Sequence, residues 1–133
     1  MQSRRLRIIV VMAVLIAAGA AGFAYWQVQQ RAIEKAVQLT GGDPATGRHL
    51  MREFGCAGCH TIPGVPGATG QVGPQLTRLG KRVYIAGVLP NTPDNLARWI
   101  VDPKAFSPRT AMPRTGISPG QARDVAAYLY NLQ

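Results

Sequence analysis

At 133 residues the chain has room for one small domain and a short extension, not for several domains. Lys and Arg number 15 against 6 Asp and Glu, a net charge of +9, and there are only 2 His and 2 Cys. That inventory shows no carboxylate pair, no Ser/His/Asp set and no phosphate-binding loop, which leaves nothing for acid–base catalysis to work with.

Met1–Arg7 carries Arg4, Arg5 and Arg7, and Ile8–Trp26 follows without a single charge. As a helix rising roughly 1.5 Å per residue, that run covers about 28 Å, close to the hydrocarbon thickness of a bilayer. Tyr25 and Trp26 close it where interfacial aromatics collect. Residues 1–26 therefore read as a transmembrane anchor, with its arginines and N-terminus cytoplasmic and the remaining chain outside. A cleaved signal peptide is the competing reading, because it too begins basic and continues apolar, and Ala18-Gly19-Ala20 offers small residues for cleavage. The length of the apolar run and the glutamines at 27, 29 and 30 favour an uncleaved anchor. Both readings imply export.

Residues 27–42 read as a short helical tether ending at Gly41-Gly42, a pair suited to a hinge or a helix stop. Asp43-Pro44 then opens a helix, with an acidic N-cap and proline at the first helical position, so residues 43–133 form the globular domain. The first helix is expected to run from Pro44 to about Gly55 and to deliver the chain into Cys56-Ala57-Gly58-Cys59-His60.

Two thiols three positions apart, with an imidazole directly after the second, suit covalent attachment of a c-type haem. The thiols can add across two vinyl groups on one porphyrin edge, and the imidazole is then held under the iron as an axial ligand. A thioredoxin-like dithiol would sit at a helix start after a strand, and no strand pattern precedes this motif. A tetrahedral zinc site needs four suitably spaced ligands, and the two cysteines with His60 and His49 make a poor set.

Beyond the motif, Ile62–Pro74 and Lys104–Pro119 are long Gly/Pro segments, of a length that usually marks a binding role. Leu76–Arg82 is expected to form a short helix. Thr92 caps a second clear helix, with Pro93 at its first position, Leu96, Trp99 and Ile100 facing inward, and Asp102-Pro103 as its stop. Ser118-Pro119 opens the last, with Ala122, Val125, Leu129 and Leu132 at helical spacing. No alternating strand pattern and no internal repeat is evident, so the fold class is all-α. Setting aside Arg4, Arg5 and Arg7 leaves +6 on the exported part. Nucleic acid fits export and a haem motif poorly. Steering toward an acidic face on a partner protein, or toward anionic lipid, is the better reading of that charge.

These residues together resemble a class I cytochrome c: the first helix, the Cys56–His60 motif, Gly73-Pro74-Gln75-Leu76, Trp99, Met112-Pro113 and a terminal helix with Tyr128. More narrowly the chain is similar to the cytochrome c domain fused to subunit II of some haem–copper oxidases. That closer likeness rests on His60-Thr61-Ile62, Gly73-Pro74-Gln75-Leu76-Thr77, the run from Ile85 through Leu89-Pro90-Asn91-Thr92-Pro93 to Leu96, and Trp99-Ile100-Val101-Asp102-Pro103. The broad likeness extends from Gly47 to Leu132. The chain has no room for subunit II's copper domain, and Met51 stands where the family often has an aromatic packed on the terminal helix.

The resemblance implies three to five short helices around one covalent haem c, with His60 binding iron through Nε2 and the Pro74 carbonyl accepting from its Nδ1–H. It assigns Met112 as the second axial ligand and the Trp99 indole N–H as a donor to a haem propionate, with Tyr84 and Arg82 as further propionate partners. His49 is the rival ligand, and an open iron, as in gas sensors or peroxide-reducing haem enzymes, is a further alternative. The function implied is single-electron transfer in a respiratory chain, from a cytochrome bc complex or other quinol-linked donor to a terminal oxidase. The haem domain would lie on the periplasmic side of the cytoplasmic membrane. A fixed haem c subunit of an oxidase or dehydrogenase complex is the alternative.

Overall fold

The computed structural model describes residues 2–132, and the chain divides into two compact units, Met1–Ala32 and Ile33–Gln133. The first unit is the greater part of helix α1 (Gln2–Thr40). Every large apolar side chain from Leu6 to Trp26 is more than half exposed, and the Phe23 and Trp26 rings stack with centroids 5.9 Å apart. A helix that is apolar on all sides calls for an apolar surrounding. By length and composition α1 can cross a membrane.

The second unit takes in the last turns of α1, where Ala36 and Thr40 are buried. Gly41 ends the helix in the left-handed region (φ 68), and its N–H closes on the Val37 carbonyl at 2.8 Å. A Cβ on Gly42 would collide with the Arg123 backbone, and the Arg123 guanidinium donates to the Thr40 carbonyl at 3.4 Å. Helix α2 (Pro44–Glu53) starts where its cap predicts: the Asp43 carboxylate accepts the N–H groups of Ala45 and Thr46 at 3.2 and 2.9 Å. It stops two residues before the expected end. Gly55, at φ 73, breaks the chain so that α3 (Cys56–Cys59) is a separate single turn.

Helix α4 (Pro93–Val101) is capped by the Thr92 hydroxyl, which takes the Asn95 N–H at 3.2 Å. Helix α5 (Pro119–Asn131) begins with a capping box, in which Ser118 and Gln121 each bond the other's backbone. Two expectations need correction. Leu76–Arg82 is not a helix but a chain bend with one 3₁₀ turn at Leu79–Lys81, because Arg78 adopts a left-handed conformation (φ 49). A small antiparallel hairpin is present as well: β1 (Tyr84–Ile85) pairs with β2 (Leu89–Pro90) around Ala86 and Gly87, both at positive φ. Two-residue strands are too short to carry an alternating pattern.

The core lies where α2 and α4 meet α5, whose Ala122, Val125, Ala126 and Leu129 are almost wholly buried. Gly47 lets α2 touch α5 backbone to backbone, since a Cβ there would overlap the Asp124 carbonyl. Met51 is among the most completely buried side chains, and its flexible thioether packs in the core beside the cavity it helps to line.

Candidate functional site

The single turn of α3 puts Cys56 and Cys59 one turn apart on one side, and His60 leaves it extended (φ −116, ψ 144). Both cysteines are free thiols, and burial pushes the Cys56 thiol above its ordinary value. The His60 ring is pinned from two directions. Its Nδ1 lies 2.7 Å from the Pro74 carbonyl, and Gly73 presses so close that a Cβ would overlap the imidazole. Proline at 74 supplies an acceptor with no competing N–H. Nε2 is left as the free nitrogen of a ring that lines a cavity of about 380 Å³.

The segment after the motif is tied back by local bonds. Gly73 N–H donates to the Cys59 carbonyl at 2.8 Å, and Leu76 N–H to the Thr61 carbonyl at 2.9 Å. The Tyr128 hydroxyl reaches the Pro63 carbonyl at 2.7 Å, and Arg48 the Gly64 carbonyl at 2.6 Å, so α5 and α2 both hold this loop.

Cys56, Cys59, His60, Pro74, Trp99 and Met112 all line the same cavity, and Arg82 and Tyr84 stand on its wall. Met112 reaches it from the segment between Pro103 and α5, half-buried, while His49 is exposed on α2 and is not part of the lining. Ile85, Leu96, Ile100 and Leu129 make the remaining surface mainly apolar. Trp99 is buried and turns toward the cavity as part of its lining. Among the described residues no three His, Cys, Asp or Glu side chains converge, as a zinc site of the tetrahedral kind would need. A larger cleft of about 530 Å³ between α4 and the start of α5, lined by Arg98, Phe106 and Arg123, holds neither thiol, imidazole nor thioether.

The sequence profile described as "Cytochrome c" matches residues 44–133. The chain belongs to the cytochrome c family. It is also 36% identical over 88 residues to cytochrome c oxidase subunit 2 of Alkalihalophilus pseudofirmus, a match covering 65% of this chain and 25% of that protein. This cytochrome thus spans about a quarter of the length of the curated relative. No solved structure matches it.

Family membership brings haem binding and electron transfer, and the cavity suits that group. It is mainly apolar, bordered by the two thiols, with an imidazole nitrogen, a thioether and the Trp99 indole in its lining. Two features of the site escaped the sequence reading. Asn91 ties the rim together: its amide nitrogen donates to the Leu79 and Arg82 carbonyls at 2.7 and 2.9 Å, and its oxygen accepts from the Tyr130 hydroxyl at 3.0 Å. Asp102 and Arg114 form a two-pronged ion pair next to the Met112 segment. Asn91 lies in the Leu-Pro-Asn-Thr-Pro run that carried the family likeness, which was the one available signal.

Proposed function

We propose that this cytochrome is a membrane-anchored, single-haem electron carrier that passes electrons along a respiratory chain from a quinol-linked donor, such as a cytochrome bc complex, to a terminal oxidase. Cys56 and Cys59 would hold haem c covalently, and His60 and Met112 would bind its iron. When bound, the haem supplies a one-electron couple whose potential is raised by a thioether ligand relative to two imidazoles. The protein's part is to hold and shield. The Pro74 carbonyl fixes the tautomer and orientation of His60, so Nε2 stays available to the iron. The Trp99 indole is available to a propionate, and the apolar walls keep water from the metal ligands.

The observation that carries this reading is the His60 Nδ1–Pro74 contact at 2.7 Å in a cavity that Met112 also lines. Its support for a membrane role is α1, with exposed apolar side chains along its length and Arg4, Arg5 and Arg7 at one end. That end would be cytoplasmic and residues 43–133 would form the haem domain on the periplasmic face. The likeness to an oxidase subunit favours one further reading, a fixed haem c subunit of an oxidase complex. Purification in mild detergent separates the two, because a fixed subunit stays with its complex at constant stoichiometry and a carrier washes off.

Mass and visible spectra of the purified full chain test the site. One haem mass added to the polypeptide and a sulfur-to-iron charge-transfer band are expected, with the band lost and carbon monoxide binding gained in Met112→Ala. A band that survives that substitution would remove Met112 from the iron.

A further inference from the structure

Met112 sits in a stretch with little backbone support. Among the described residues no backbone–backbone hydrogen bond involves 111–117, and the Met112 N–H donates only to the Thr110 hydroxyl, at 3.3 Å. Ile117, buried, closes the stretch before α5. Between Met112 and Ile117 there is one side-chain tie. The Arg114 Nε donates to Asp102 Oδ1 at 2.7 Å, while Nη2 donates to Oδ2.

Asp102 is itself well seated. It ends α4 three residues after Trp99, it precedes the fully buried Pro103, and its carboxylate also takes the Ala105 N–H at 3.2 Å. A planar fork on a carboxylate fixes direction as well as distance. Yet the Arg114 side chain is 65% exposed, so water screens the pair and its share of global stability is small. The pair's consequence is therefore local. It joins the helix that carries Trp99 to the residue two places beyond Met112.

We propose that the Asp102–Arg114 fork is a positioning clamp that holds the Met112 thioether at its place in the haem cavity. The proposal rests on the reading of Met112 as an axial ligand. With the fork removed, the stretch keeps Ile117 as its anchor but loses the restraint nearest the sulfur, so the thioether spends more time away from the iron.

The test uses the full-chain holoprotein with Arg114→Gln, Arg114→Lys and, as a control far along the chain, Asp43→Ala at the cap of α2. Three quantities are read: the charge-transfer band of the ferric form, carbon monoxide affinity of the ferrous form, and the melting temperature. Arg114→Gln should weaken the band and tighten carbon monoxide binding on the order of two- to five-fold, with little change in melting. Arg114→Lys, which keeps the charge but not the fork, should fall between it and the parent. Asp43→Ala should lower melting and leave band and affinity alone. Parent-like band and affinity in both Arg114 variants overturn the clamp, as does an equal effect from Asp43→Ala. A parent protein with no band, binding carbon monoxide as readily as Met112→Ala, sinks the ligand assignment first and the clamp with it.

Discussion

At the scale of single residues, the site depends on how closely backbone atoms approach side chains. Gly73 is the clearest case, because the His60 ring occupies the space where any other residue would place its Cβ. Gly73→Ala is expected to push the ring off the Pro74 carbonyl at an overpacking cost of about 2 kcal/mol. Urea unfolding would measure that loss, and mass analysis the lower share of chains carrying haem; unchanged values for both would show that the ring moves aside freely. Cys56, Cys59 and His60 were legible in the sequence because the chemistry demanded of them is set by covalent spacing within five residues. Asn91 was not. Its amide works through Leu79 and Arg82 on the preceding bend and through Tyr130 on α5, groups that no local spacing rule connects and that meet only once the chain has folded.

At the scale of elements, the starts of α2, α4 and α5 were legible, and so were the ends with a local stop, at Gly41-Gly42 and Asp102-Pro103. Asp43-Pro44, Thr92-Pro93 and Ser118-Pro119 each announce a start by local bonding, and each cap is made. Where no such stop is written, the backbone of the next residues decides, which is why Gly55 stops α2 early and Arg78 turns the expected helix at Leu76–Arg82 into a 3₁₀ turn. The Asp43 cap also has a pH signature. Hydrogen bonding from Thr46 first, then Ala45, holds its carboxyl below the ordinary value, so folding favours the ionised form. That contribution is present above the unfolded pKa and is lost as pH falls through the lower, folded one, in a window below about pH 4. Asp43→Ala should lower stability by about 1 kcal/mol at neutral pH and make the acid limb shallower. Denaturant midpoints at pH 7 and pH 3 measure both, and an equal loss at the two pH values would rule out the cap as their source.

At the scale of the whole molecule, charge and anchoring set how the proposed carrier would meet its partners. A tether to the membrane confines the search and raises the effective concentration, so weak docking suffices. A net +6 outside the basic N-terminus makes that docking sensitive to salt. Oxidation by a terminal oxidase should slow several-fold between about 10 and about 200 mM salt, over which the screening length falls from roughly 30 to roughly 7 Å. Stopped-flow kinetics across that range give the slope, and a flat profile would mean the positive charge does not steer.

The chain alone determined the all-α class, the haem motif and the apolar N-terminal helix, because each is written in spacing, capping or hydropathy over short stretches. The tertiary structure decided that Gly47 and Gly73 are where backbones and rings touch, and that Asn91 binds the rim. It also decided that Met112 shares a cavity with His60 while Arg114 is tied to Asp102. Those pairings follow no fixed spacing along the chain, and only folding its loops and helices back on one another brings their atoms within bonding range.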